Sequence, residues 1–406
     1  MNKNLLIIGA GIEACEGIKI AKAMGLGLII ADGDPSAPGF AMADHCIHAS
    51  TYDGETIAAE AMRLNQTGVL ISGVIAMCAD VPMSVAKVAN VLGLPGLSLQ
   101  SAYWVADKLA MKEQLQKSGI PIPRFAAVRD DEDLFLMAEQ VGFPLVIKPV
   151  DSRGARGVQL LEHHEQLLSA YELAKHESPT GRVMIEEYLP GPQFSTETLV
   201  DDGRCYTLGF ADRNYEWLEQ TKPFMIENGG DSPTNQSAVV KGNVVATVEK
   251  AALALGICSG VAKGDMVYTP DGAKVIEIAG RLSGGYFSTT QIPLATGVNF
   301  VEQAIKLALG EHLDAVDVTP TRELGVAIRY LDLPAGIISA ISGIELAASA
   351  PGVALLSIFA KPGQRIAPLA NHTQRGGFVI CTGSNKQQAI DRALSALSMI
   401  KVSYEQ

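Results

Sequence analysis

Asp265 and Glu277 lie in the run GDMVYTPDGAKVIEIAG, two strand-prone segments around Pro270, Asp271 and Gly272. Proline at the first turn position and glycine in the left-handed conformation suit a three-residue loop with a bulge. In that register Thr269 faces Ala273, and counting outward sets Asp265 opposite Glu277. Directly opposed residues share a face, with Cβ atoms roughly 4.5–5.5 Å apart. Two carboxylates so placed repel unless a cation lies between them, and Mg²⁺ suits the role because it keeps waters and takes phosphate oxygens. A two-residue turn would instead send the acids to opposite faces. Apolar flanks (Met266, Val267, Val275, Ile276, Ile278) speak against a solvated acidic edge. Arg281 follows Glu277 by four residues, with the bare amides of Gly284 and Gly285 beyond it. A guanidinium there can bind a carboxylate or a phosphoryl group in transfer. A structural salt bridge explains Arg281 as well when it is judged alone.

A second cluster is KPVDSRGARGV. Lys148 ends an apolar strand, and Ser152, Gly154 and Gly157 offer backbone amides between Arg153 and Arg156. Free N–H groups on a glycine loop form an anion nest, and a lysine can span two phosphates. The order of residues is not that of a Walker loop. A third candidate, Gly9, Gly11 and Ala14 with Asp32 about twenty residues on, matches the dinucleotide fingerprint. It supports a rival reading, an NAD-dependent oxidoreductase. His163 and His164 lie in a polar stretch and read as solvent-facing.

These residues need elements to hold them. The first hundred residues alternate apolar runs (LLIIG, LGLIIAD, CIHAS, GVLISG) with helical patterns at Glu13–Met24 and Gly54–Arg63, which implies βαβ units and a parallel sheet. A helix over VADKLAMKEQLQKSG follows, then strands PLVIKPV and VMIEEYL, then longer alternating strands, FSTETLV and CYTLGFA, suited to an antiparallel sheet. Residues 214–236 are polar and read as a substrate-facing loop. Helices are expected near Val244–Leu255, Asn299–Leu309 and Gln387–Ile400.

At 406 residues the chain is long enough for two or three domains. Its formal charge of −12 disfavours nucleic acid or an anionic membrane as the main partner. Six scattered cysteines show no zinc spacing, and no 18-residue apolar run occurs, so a cytoplasmic location is expected.

Taken in order, these pieces resemble the ATP-grasp superfamily over nearly the whole chain. DKLAMKEQLQKSGIPIPRF is similar to the family's lead-in, whose lysine (here Lys108) contacts ATP, and Lys148 matches the strand lysine on the phosphates. The DSRGARG loop, with Ser152, Gly154, Arg156 and Gly157, resembles the lid over the triphosphate. EEYLPGPQFSTE is similar to the adenosine-binding run, so Glu186, Glu187 and Leu189 are expected to frame adenine. Gln193 stands where a ribose-binding glutamate is usual. Asp265 and Glu277 match the magnesium ligands and Arg281 the adjoining arginine, while Ala279 replaces the usual asparagine. RLSGGYFSTTQIPLATGVN and a small last domain look most like the carboxylate–amine, or L-amino acid, ligase branch.

The resemblance implies an N-terminal parallel-sheet domain (1–104), a central two-lobed nucleotide-binding module (105–312) and a small C-terminal α+β domain (313–406). It implies ATP and Mg²⁺, small carboxylate and amine substrates, and an amide formed through an acyl-phosphate. Arg281 and Lys148 are the expected catalytic residues, with Arg281, Gly284 and Gly285 on substrate. A homodimer is expected from the family alone. Biotin-carboxylase-like and purine-biosynthetic carboxylases share the plan, and a non-catalytic nucleotide sensor is a more distant alternative.

Overall fold

The computed structural model describes residues 3–405. Four parallel strands open the fold, in the order His45–His48, Gly27–Asp32, Asn4–Ile8, Ile71–Ile75. Leu5 to Ile8 are fully buried because both faces of the sheet are covered. Leu5 and Ile7 pack with Ile18 of helix Ala14–Ala23, while Leu6 and Ile8 pack with Ile57 of helix Gly54–Gln66. The last strand begins at Ile71, so the leading GVL of the expected strand lies outside it.

The fingerprint turn is filled by the protein itself. Gly9 sits at φ +99°, and a Cβ on it would lie 2.8 Å from the Ala79 side chain. Asp32 accepts from the Ala10 and Asp34 backbone N–H groups, and the Ala10 carbonyl accepts from Gly39 N–H.

The expected helix over residues 105–119 is two helices, Leu99–Ala106 and Lys108–Lys117. Asp107 is extended between them, and its carboxylate caps the second by accepting from Ala110 N–H. One small antiparallel sheet then orders Phe125–Val128, Val183–Glu187, Leu145–Pro149 and Gln159–Leu161. Facing it is a sheet of eight strands. Gly272–Ala279 is at its edge, followed by Gly260–Thr269, Gln193–Asp201, Arg204–Asn214 and Gly229–Ser232. Gly325–Tyr330, Gly377–Gly383 and Val353–Ile358 complete it. The strands after residue 313 therefore prolong the central sheet, and only Arg365–Ile366, Gly336–Ser342 and Lys401–Tyr404 form a sheet of their own. Residues 214–236 are not wholly loop, for they hold the helix Leu218–Thr221 and the strand Gly229–Ser232.

The hairpin corrects one expectation while keeping its consequence. Its turn is two residues, Pro270–Asp271, with Thr269 opposite Gly272 and Tyr268 opposite Ala273. That turn alone would have put the acids on opposite faces. A bulge between Asp265 and Met266 skips Ile276 and restores the pairing of Asp265 with Glu277.

Candidate active site

Between the small sheet, the eight-stranded sheet and the N-terminal domain lies a cavity of about 610 Å³. Lys108, Lys148, Ser152, Gly154, Glu186, Glu187, Leu189, Gln193, Asp265, Glu277, Arg281, Gly284 and Gly285 all line it. Arg156 and Gly157 do not. Arg156 turns back to the Arg153 carbonyl, and Gly157, at φ +70°, packs where a Cβ would lie 3.0 Å from Pro149 and Glu177. Gly157 thus closes the base of the loop. His163 and His164 are exposed, and Ala279 is buried.

The lysines are held by their surroundings. Lys108 begins its helix, donates to the Ser152 carbonyl at 2.9 Å, and stands 3.3 Å from Glu277. Lys148 pairs with Glu186, whose other oxygen is 2.9 Å from the fully buried Lys112. Burial opposes the charge on Glu186, but Lys112 and Lys148 outweigh it and hold the carboxyl below its ordinary range. This carboxylate is spent on two lysines, so accepting a hydrogen bond from adenine would compete with an ion pair.

Asp265 lies between two cations, Arg213 at 2.9 Å and Lys263 at 2.5 Å. Burial would raise its pKa, yet Arg213 and then Lys263 bring it to about 2. Its Oδ1 makes no well-aligned hydrogen bond despite being buried. Among the described residues no three acid, histidine or cysteine side chains converge as a metal set. Two carboxylates on one face suit an ion that takes its remaining ligands from phosphate and water.

Arg281 reaches Asp80 at 3.2 Å, at the carboxyl side of the last parallel strand, and Arg153 of the lid loop reaches the same carboxylate at 3.7 Å. Burial works against the Arg281 charge, but Asp80 more than restores it and raises the pKa. The Arg281 Nε remains without a partner. Below this arginine, Glu197 is fully buried, accepting from the Ser288 hydroxyl at 2.6 and 2.7 Å and from Ser283 N–H at 2.8 Å. Burial pushes its carboxyl up to about 7.

Several of these partners escape a motif search. Lys263 precedes Asp265 by two and so shares its face, a signal in the strand period. Lys112 follows Lys108 by one helical turn. Asp80 lies past a parallel-strand end, where open α/β sheets place ligands. Arg213, Glu197, Glu13, His372 and Arg375 carry no local signal, because distant strands and loops bring them in.

The sequence-family profile described as "ATP-grasp domain" matches residues 105–285, and that described as "L-amino acid ligase C-terminal domain 2" matches residues 329–405. The chain is 28% identical over 204 residues to an L-arginine-specific L-amino acid ligase of Bacillus subtilis, covering 48% of each protein. It is 26% identical over 238 residues to a D-alanine–D-alanine ligase of Pseudomonas fluorescens, covering 56% of this chain and 69% of that one. An L-amino acid ligase structure from Bacillus licheniformis superposes with TM-score 0.83 at 22% identity, over 100% of this chain and 99% of the other. The biotin carboxylase domain of a Hydrogenobacter thermophilus 2-oxoglutarate carboxylase, with MgADP and bicarbonate, gives 0.75 at 20% identity, over 99% and 91%. Residues 105–285 are thus an ATP-grasp domain and residues 329–405 an L-amino acid ligase C-terminal domain, in an ATP-dependent carbon–nitrogen ligase that uses ATP and Mg²⁺.

Proposed function

We propose that the chain joins a small carboxylic acid to an amine through an acyl-phosphate, releasing ADP and phosphate. The observation that carries this reading is the lining of one cavity by Lys108, Lys148, Asp265, Glu277 and Arg281. In the first step a carboxylate oxygen of the donor attacks the γ-phosphorus and the bond to the β-phosphate oxygen breaks. In the second the amine nitrogen attacks the acyl carbon, the carbon–oxygen bond to phosphate breaks, and the nitrogen loses a proton.

Lys108 and Lys148 would bind the phosphates, and their existing acid contacts keep both ammonium groups in place. Asp265 and Glu277 would hold Mg²⁺, which neutralises phosphate oxygens during the transfer. Arg281, fixed by Asp80, would orient the donor carboxylate and stabilise charge on the moving phosphoryl group. The backbone of Glu187 to Leu189 is left to face adenine, with Gln193 toward the ribose. The lid is clasped from two sides: Arg153 sits over the Tyr52 ring, and His372 N–H donates to the Gly154 carbonyl. That clasp would exclude water from an intermediate that hydrolyses readily.

A screen of carboxylic acids and amines for phosphate release tests the reading. Release that requires both partners supports it; release with neither, or with no mixture, overturns it. A second reading, carboxylation of an amine with bicarbonate as donor, is favoured by the fold neighbour holding bicarbonate. It predicts ADP formation that depends on bicarbonate instead of an organic acid.

A further inference from the structure

The hairpin face that carries Asp265 and Glu277 continues by one more opposed pair. Two residues along each strand, Lys263 stands directly opposite Ala279. Alternate residues share a face, so the four side chains form one block: two acids, then a cation and a methyl group. Ala279 is buried and offers no ligand atom. Lys263 lines the cavity, its side chain 17% exposed, and its ammonium lies 2.5 Å from Asp265 Oδ2.

The neighbouring charges show where that ammonium is directed. Glu197 stands opposite Lys263 on the other adjoining strand, yet its carboxyl is turned to the Ser288 hydroxyl and Ser283 N–H. Lys263 meets Asp265 instead, whose other oxygen is 2.9 Å from Arg213. Lys108 stands 3.3 Å from Glu277. Three cations thus already surround the two carboxylates.

Phosphoryl transfer often uses two divalent ions, clamped on the attacking and leaving oxygens. Mg²⁺ demands near-octahedral oxygen coordination, so a second ion would need ligands beyond Asp265 and Glu277. The next position on the face supplies a methyl group and a positive charge. Among the described residues no third acid, histidine or cysteine completes a metal set there. A dication seated against Lys263 would therefore meet repulsion that no further carboxylate offsets. An ammonium can take over part of its work, being a compact charge with three rotatable donors that bind phosphate oxygens.

We propose that Lys263 is a catalytic residue that takes the place of a second divalent ion. Its ammonium donates to the β- and γ-phosphate oxygens, beside a single Mg²⁺ held by Asp265 and Glu277. The assignment rests on the reading of those two acids as the Mg²⁺ ligands. The ion pair with Asp265 fixes the ammonium at the metal carboxylate, where the phosphate oxygens must come. Because this charge belongs to the chain, activity should saturate once all ATP is present as MgATP, with no further activation by free Mg²⁺.

The test counts metal ions on the nucleotide complex. The chain, saturated with a non-hydrolysable ATP analogue and titrated with Mn²⁺, should bind one Mn²⁺ per analogue. Electron paramagnetic resonance should show a single, uncoupled ion. Lys263→Met should weaken the analogue about ten- to a hundredfold while leaving AMP affinity unchanged, and Lys263→Arg should recover part of the loss. Comparing the two nucleotides separates a lost phosphate contact from a damaged fold, since damage weakens both. Two Mn²⁺ per analogue in the parent, or unchanged analogue affinity in Lys263→Met, would overturn the assignment while leaving Asp265 and Glu277 as metal ligands. Equal losses for analogue and AMP would reduce Lys263 to a structural role. A complex that holds the analogue without Mn²⁺ would defeat the reading of the two acids, and this assignment with it.

Discussion

Replacing Glu197 by glutamine should stabilise the protein at neutral and alkaline pH. The carboxyl is wholly buried and bonded to neutral groups, the Ser288 hydroxyl and the Ser283 N–H. A rise from the ordinary 4.5 to about 7 corresponds to about 3 kcal/mol at ~1.4 kcal/mol per pH unit, as an upper bound. Below pH 4.5 the group is protonated in both folded and unfolded chains, and its burial as an acid carries no ionisation penalty. Between 4.5 and 7 the unfolded chain releases the proton while the folded protein keeps it, so stability falls as pH rises. Above 7 the full penalty remains. Glutamine cannot ionise, keeps an acceptor for Ser283 N–H, and can donate to the Ser288 oxygen. The variant's advantage in melting temperature should therefore be near zero at pH 4.5 and grow to several degrees by pH 8. An advantage that does not change between pH 5 and pH 8, or a variant less stable at pH 8, would refute the reasoning.

Other substitutions probe the phosphate and metal sites. Arg281→Ala should reduce turnover by orders of magnitude while ATP binding stays measurable by calorimetry, because its role is confined to the transferring group and donor; normal turnover would remove that role. Asp265→Asn should raise the Mg²⁺ concentration needed for half-maximal activity at least tenfold, since it weakens one of two carboxylate ligands. Glu186→Gln leaves the buried Lys112 and Lys148 without their common counter-charge and should cost about 3–5 kcal/mol of stability. MgATP should then raise the melting temperature of that variant more than that of the parent, because the triphosphate would supply the missing negative charge.

The chemistry of the site was more legible in sequence than its support. Apolar runs at Leu5–Ile8 and Gly27–Asp32 announced the parallel sheet, since strands buried on both faces need little else. The lysine, glycine loop and acidic hairpin were readable because each is local. The hairpin shows the limit: its turn length was misjudged, and a one-residue bulge that no composition signals restored the pairing of Asp265 with Glu277. Strands Gly325–Tyr330 and Gly377–Gly383 read as a separate cap because nothing in an alternating strand names its neighbour. Arg213 and Arg375 were invisible for the same reason. Their meaning lies in which carboxylate or aromatic ring stands beside them, and those partners, Glu227 and Asp265 for Arg213 and Tyr330 for Arg375, come from other strands and loops.

Oxygen transfer from the donor tests the acyl-phosphate route most directly. With ¹⁸O in the donor carboxylate, phosphate recovered after turnover should carry one labelled oxygen per amide formed, because the carbon–oxygen bond to phosphate breaks in the second step. Amide formation with unlabelled phosphate, or with label in AMP, would contradict it.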